Sequence, residues 1–171
     1  MDEKPLTSTL QYFDGCGIAP ESVDWLAAKA IRLEVFVGEQ ACPMAEEFDG
    51  HDATSRHLLL REIEDEPRLS SPGDEPGTAI GTARWRTVDW NGEPVAKLER
   101  FAVRRSHRGA GAGQQLVDGA IEDARAAGLR RFVLHSQEHL VDFYRAFGFI
   151  TVGERFIEAG IPHRRMIKSD G

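Results

Sequence analysis

Arg104-Arg105-Ser106-His107-Arg108-Gly109-Ala110-Gly111-Ala112-Gly113-Gln114-Gln115-Leu116-Val117 is the stretch on which the reading of this chain turns. It lies between a strand-like run, 97–103, and a helix-like run, 113–127. Three glycines at alternate positions leave no Cβ to hold a ligand away from the backbone. A bend that opens a helix leaves the first-turn N–H groups without acceptors, at the positive end of the helix dipole. Together these features make an anion site, and a diphosphate is the anion they suit best. Arg104, Arg105 and Arg108 add positive charge around it. The stretch lacks the Gly-Lys-Ser/Thr of a P-loop, since Gly113 is followed by Gln114-Gln115. It also lacks the third glycine of a dinucleotide fingerprint, because Gln114 stands there. Both absences argue against a nucleotide-binding module.

Working outward, Gly128 is a helix stop, and Arg131-Phe132-Val133-Leu134-His135 reads as a buried strand. A short second helix leads into Phe143-Tyr144-Arg145-Ala146-Phe147-Gly148-Phe149. On the other side, residues 80–88 and 95–103 read as strands joined at Asn91-Gly92, a strong hairpin signal. In the second of these the apolar alternation slips. Leu98 and Phe101 cannot share one face of a regular strand, so either both faces are buried or a bulge intervenes. The helix after the glycines puts Leu116, Val117, Ala120, Ile121 and Ala124 on one stripe, with Asp118, Glu122, Asp123 and Arg125 outside. Leu140, Phe143, Tyr144 and Phe147 form one apolar face of the short helix, which turns the Tyr144 ring inward.

Nearer the start, residues 6–13 read as a first strand, and a helix from about 20 to 37 carries Val23, Leu26, Ala27, Ala30, Leu33 and Val37 on one face. An acidic, irregular segment, 38–52, follows, and then a strand at 57–61. Residues 65–77 are a polar Pro/Gly/Ser-rich loop, predicted to be exposed and mobile. Residues 149–156 and 163–168 read as closing strands.

The chain has 171 residues, 41% of them hydrophobic and 29% charged, which suits one globular domain with a sizeable core. A net charge of −7 argues against general nucleic-acid binding, which needs excess positive charge. Cys16 and Cys42 give neither a disulfide framework nor metal spacing. Asp49, His51 and Asp52 on one irregular segment are weak grounds for a metal, and none is expected. The opening residues have no apolar signal core, and no apolar run approaches the roughly 18 residues of a membrane span. The expectation is therefore a reducing cytoplasm and no membrane partner.

Arg108-Gly109-Ala110-Gly111-Ala112-Gly113 resembles the Arg/Gln-x-x-Gly-x-Gly/Ala signature of the GNAT N-acetyltransferase superfamily. The string Tyr144 to Phe149 resembles the Tyr-x-x-x-Gly-Phe ending of that superfamily. Arg32-x-x-Val35-Phe36-Val37-x-Glu39-Gln40 and Glu158-x-Gly160-Ile161-x-His163-x-x-Met166 resemble the opening and the ending of its ElaA-like branch, so the resemblance spans most of the chain. It implies an α/β fold: a single GNAT-type domain over residues 1–171, core about 6–168, with a mixed, mostly antiparallel sheet flanked by helices and splayed at its central strands.

The resemblance also implies acetyl-CoA as cosubstrate and a primary amine of a small molecule or peptide as acceptor, attacking the thioester directly. A homodimer is among the assemblies it allows. Arg108, Gly109, Ala110, Gly111, Ala112, Gly113 and Gln114 would cradle the pyrophosphate. A bulged strand would offer backbone groups of Phe101, Ala102 and Val103 to the pantetheine arm, with an N–H there as oxyanion donor. Gln137 stands where many relatives have an asparagine on that arm. Tyr144 would protonate the departing sulfur, unless it is a core aromatic with a satisfied hydroxyl. Glu99 would act as base through water, unless it is an ion-paired carboxylate. The segment before the second strand would form the acceptor pocket, with Glu39, Gln40 and Asp49 as substrate contacts and an acidic wall suited to a basic nitrogen. His135 and His139 flank the site and could shuttle protons. The rival reading is a catalytically inactive domain that binds or senses acyl-CoA.

Overall fold

The computed structural model describes residues 7–63 and 77–171. Seven strands form one sheet in the order β1-β2-β3-β4-β5-β7-β6. They are β1 (Ser8–Asp14), β2 (Arg56–Glu62), β3 (Thr78–Trp90), β4 (Glu93–Val103), β5 (Arg131–Gln137), β6 (Ile150–Glu158) and β7 (Ile161–Ser169). All neighbours run antiparallel except β4 and β5. The α-helices are α1 (Val23–Arg32), α2 (Met44–Glu47), α3 (Ala112–Ala126) and α4 (Val141–Arg145). The sheet is mixed and mostly antiparallel, as the sequence implied.

α3 lies on one face. Its stripe of Leu116, Val117, Ala120, Ile121 and Ala124 packs in one cluster with Leu58, Leu60, Ile80, Leu98, Phe132 and Leu134. It comes so close to the sheet at Gly119 that an added Cβ would sit 2.1 Å from Leu10. The other face takes α1 and the turn that follows it, where Ala28, Ile31 and Val35 cluster with Leu59, Ala79 and Ala102. Alternate residues of β2 thus enter opposite cores, which is why Leu58-Leu59-Leu60 is apolar without a break. Asn91 and Gly92, at φ 54° and 83°, make the tight β3–β4 turn.

The bulge lies where the alternation slips. Thr82 pairs with Ala102 but Arg84 pairs with Glu99, so β4 holds one extra residue there, and Arg100 takes φ 57°. The parallel ladder of β4 and β5 runs only through Ala96–Phe132, Lys97–Val133 and Leu98–Leu134. Past Leu98 the two strands part.

Several expectations need correction. The first helix does not run unbroken to 37. α1 ends at Arg32 and a π-helical turn occupies Leu33–Glu39. Its expected inner face is partly outer, with Val23 52% and Leu26 49% exposed. The buried side carries Ala28, Ile31, Arg32 and Val35. A buried arginine counts as polar in any hydrophobic pattern, so the true inner face scored too low. Asp123 was placed outside, yet it accepts hydrogen bonds from Trp85 Nε1 at 2.8 Å and Arg56 Nε at 3.0 Å. Leu140, placed on the inner face of the short helix, is exposed. The loop expected at 65–77 lies, Gly77 excepted, outside the described residues. Among the described residues no helix is long and apolar enough to cross a membrane.

Candidate active site

The glycine turn joins β4 to α3. Gly109 and Gly111 hold φ 85° and 87°, and an added Cβ at either would meet nothing within 4 Å. The conformation requires glycine there, and the space above the turn is open. Gly111 is the N-cap of α3 and its carbonyl receives Gln115 N–H at 3.1 Å. The N–H groups of Ala112, Gly113 and Gln114 therefore precede the helical ladder and have no acceptor within it. Gly113 lies beside α4, where a Cβ would stand in ordinary contact with the Phe143 ring at 3.4 Å. Arg108 borders the turn. Its Nε donates to the Val103 carbonyl at 2.9 Å and its Nη2 lies 2.8 Å from Glu39. Open space, first-turn donors and an arginine fit a diphosphate.

The parting of β4 and β5 opens a cavity of about 470 Å³. β4 lines it with Lys97, Glu99 and Phe101, β5 with Leu134, His135 and Gln137, and α4 with Tyr144. Here β4 keeps β3 on one edge and has lost β5 on the other, which frees backbone groups along that edge. Tyr144 is 6% exposed. Phe101, Phe143 and Phe149 meet its ring edge-on at 6.1, 5.1 and 6.2 Å. Burial pushes its phenol pKa up, and among the described residues nothing bonds the hydroxyl. Gln137 donates from Nε2 to Gln40 Oε1 at 2.9 Å, so these two expected contacts meet each other across the cavity.

The acidic segment holds its carboxylates against arginines that sequence reasoning overlooked. Arg84, with no exposure, reaches Asp49 at 2.6 Å, Asp52 at 2.8 Å and Glu99 at 3.1 Å. Arg32, 1% exposed, reaches Glu47 at 2.5 Å and Asp52 at 2.6 Å. Arg100, turned by the bulge, meets Glu47 at 2.9 Å and Asp49 at 3.2 Å. Glu99 also meets Arg86 at 3.1 Å and Lys97 at 3.0 Å. Burial raises the Glu99 pKa, but Arg84, Lys97 and Arg86 outweigh it and hold the group at about 2. Asp49 is likewise lowered, the Arg84 and His51 hydrogen bonds and Arg100 overcoming its burial.

The wall is thus a charge lattice rather than an open acidic surface. Among the described lining residues, Glu46 and Glu158 are the carboxylates with no lysine or arginine partner. Glu39 is not part of that wall but sits on Arg108, beside the glycine turn. A signal for the lattice was available. Arg84 and Arg86 stand two apart on a strand, hence on one face, beside a segment dense in carboxylates. His135 lines the cavity, whereas His139 is exposed on the Glu138–Leu140 turn.

Comparison with known proteins agrees with this geometry. The profile of the acetyltransferase (GNAT) domain matches residues 33–169. The chain is similar to the uncharacterized N-acetyltransferase YjcF of Bacillus subtilis, 36% identical over 139 residues, which is 81% of this chain and 87% of that one. The fold is similar to the crystal structure of Escherichia coli ElaA, with TM-score 0.76, 30% identity, and coverage of 95% of this chain and 100% of that one. It is also similar to an acyl-CoA N-acyltransferase from Pseudomonas aeruginosa, with TM-score 0.75, 28% identity, and the same coverage. The chain belongs to the GNAT family of acetyltransferases.

Proposed function

We propose that this acetyltransferase moves an acetyl group from acetyl-CoA to a primary amine of a small molecule or peptide, by direct attack of the amine on the thioester. The observation that carries the reading is a shared strand. β4 leads to the open glycine turn with its first-turn N–H groups at one end, and its edge past Leu98, freed from β5, lines the cavity that Tyr144 also lines. In this reading Gly109, Ala110 and Gly111 leave room for the diphosphate. Ala112, Gly113 and Gln114 donate to it, and Arg108 adds charge. The backbone of Phe101, Ala102 and Val103 runs beside the pantetheine arm, and an N–H there faces the charge that develops on the acetyl oxygen. Acetyl-CoA, when bound, supplies an activated acyl carbon and a thiolate leaving group of moderate basicity.

Tyr144 keeps its proton throughout the neutral range, because burial raises its pKa. Among the described residues it has no acceptor, so it is free to donate to the departing sulfur. Glu99 remains ionised beside its three cations. A carboxylate held at about 2 is a weak proton acceptor, and its part is to hold negative charge, through water, near an incoming ammonium group. Gln40 and Asp49 bound the acceptor side. The whole chain acts as one domain, in the cytoplasm.

The test is a panel of amines mixed with acetyl-CoA and protein, followed by free thiol and N-acetyl product in equal amounts, with calorimetry for cofactor binding. Tight binding of acetyl-CoA without thiol release from any amine would replace this reading with a sensing domain. Tyr144→Phe keeps the ring and removes the proton donor. At saturating cofactor it should lower kcat by roughly 10²-fold, the low end of general acid catalysis, and leave cofactor affinity and melting unchanged.

A further inference from the structure

The acceptor's proton needs a destination, and neither Glu99 nor Tyr144 supplies one. Three other side chains in the cavity converge from three strands: His135 on β5, Glu158 on β6 and His163 on β7. β7 lies between the other two strands and pairs Gln137 with His163 on one edge and Phe156 with His163 on the other. His135, two residues from Gln137, therefore shares the face of His163. Phe156 stands between the imidazoles, edge-on to His135 at 4.9 Å and stacked on His163 at 5.9 Å. The packing fixes both rings.

Hydrogen-bond partners then assign the protons. An ionised carboxylate can only accept, so the His135 nitrogen that faces it, Nδ1 at 3.4 Å from Glu158 Oε1, carries the hydrogen in the neutral ring. Nε2 is left with a lone pair, and no described group bonds it. His163 is held otherwise, by Nδ1 donating to the Ile161 carbonyl at 2.8 Å. Its side chain is 10% exposed against 20% for His135. His163 is pinned to the backbone with its Nε2 3.8 Å from Glu158 Oε2, whereas His135, the more exposed ring, turns its Nδ1 to Glu158 and its Nε2 away from it.

We propose that His135 is the general base for the acceptor amine and that Glu158 is its positioning residue. This rests on the acetyl-transfer reading of the cavity. The ammonium first gives one proton to water; the lone pair of the neutral amine then forms the bond to the acetyl carbon, and the proton this nitrogen sheds goes to Nε2 of His135. The carbon–sulfur bond breaks, and the thiolate takes the Tyr144 proton. The imidazolium so formed is stabilised by Glu158, and proton return through solvent restores both groups. The charged groups that line the cavity with the pair include Arg86 from β3, Lys97, Glu99 and Arg100 from β4, Glu158 from β6, His163 from β7 and Glu46 from α2, and Arg165 is the strand partner of His135 on β7. Lys97 is occupied by Glu99 at 3.0 Å, and the Arg165 guanidinium lies over Trp90 at 5.2 Å. Glu158 is thus the carboxylate within hydrogen-bond reach of the His135 ring.

Two measurements decide it. Ring nitrogen NMR on the cofactor-free protein should show the Nδ1–H tautomer at His135, and Glu158→Ala, which leaves no acceptor there, should disturb it. In kinetics, His135→Gln should lower kcat/KM for the amine by roughly 10²-fold or more and abolish its acid limb, with acetyl-CoA affinity unchanged. Glu158→Gln should cost less and displace that limb. Wild-type rate and pH profile in His135→Gln would overturn the assignment and leave acetyl transfer standing. No thiol release by the wild type with any amine would overturn both. Were His135→Gln to melt early, Glu158→Gln decides, because that carboxylate is 48% exposed and its removal spares the fold. An unchanged pH profile in that variant would overturn the proposal as well.

Discussion

On one side of the β4–β5 opening, Gly109 and Gly111 stand at φ 85° and 87° over open space, and α3 begins with unpaired N–H groups. On the other, Arg84 has no exposure and is ringed by Asp49, Asp52 and Glu99. The first region is made of backbone, the second of long side chains drawn from distant positions. A backbone site depends on a few local conformations, and those leave marks at adjacent positions in the sequence. A buried lattice depends on its members together, because each charge lost weakens the hold on several partners at once. The two regions should therefore fail differently: one by losing a ligand, the other by losing the fold around it.

The largest effect expected is at the lattice. Arg84→Met keeps most of the volume and removes the charge that three carboxylates share. Breaking a buried pair from one side costs about 3–5 kcal/mol, and here the partners number more than one. Denaturant unfolding should show a loss of up to that range, because Asp52 keeps Arg32, Asp49 keeps Arg100, and Glu99 keeps Arg86 and Lys97. A loss below about 1 kcal/mol would mean that water reaches the carboxylates, and the contrast between the regions would fall away.

The same contrast explains what could be read from the chain. The α3 stripe, the unbroken apolar run of β2, the Asn91-Gly92 turn and the bulge between Leu98 and Ala102 are local patterns, and each left its period or its slip in adjacent residues. The inward Tyr144 ring followed from helical spacing alone. Arg32 and Arg84 could not be placed that way, since their partners lie 15 to 35 residues off and a buried guanidinium looks like surface in a hydropathy pattern. The amide pair of Gln40 and Gln137 spans 97 residues and has no local signature at all. The His135–Glu158 pair is of the same kind. The residues were visible, but their meeting depended on β7 lying between β5 and β6.

At the backbone site the expected loss is smaller and specific. Gly111→Asp meets no neighbouring atom, and its cost is local backbone strain at φ 87°, so the fold should persist. It also sets a negative charge against the place of the diphosphate. Affinity for acetyl-CoA should fall at least about tenfold, equivalent to 1.4 kcal/mol, with little change in melting. If melting falls as far as in Arg84→Met, the turn is part of the core and the division drawn above is wrong.

The smallest effect tests where the boundary runs. Glu39 was expected among the acceptor contacts, as one acidic residue in an acidic segment. The structure sets it 2.8 Å from Arg108, whose Nε is held by the Val103 carbonyl. The two residues are 69 apart in sequence and meet because the π-helical turn after α1 brings Glu39 over the end of β4. A carboxylate on that arginine competes with any anion the arginine serves. The pair is partly exposed, at 41% and 29%, so it contributes no more than about 1 kcal/mol. Glu39→Gln removes the competitor and its repulsion while keeping the shape. The KM for acetyl-CoA should fall by about two- to fivefold, the equivalent of 0.4 to 1 kcal/mol, and the KM for the amine should stay where it was. Salt should erase the difference, since exposed charges are screened within about 10 Å at 0.1 M. A rise in the amine KM with no change in the cofactor KM would return Glu39 to the acceptor side. It would also show that the acidic segment reaches further around the cavity than Arg108 allows.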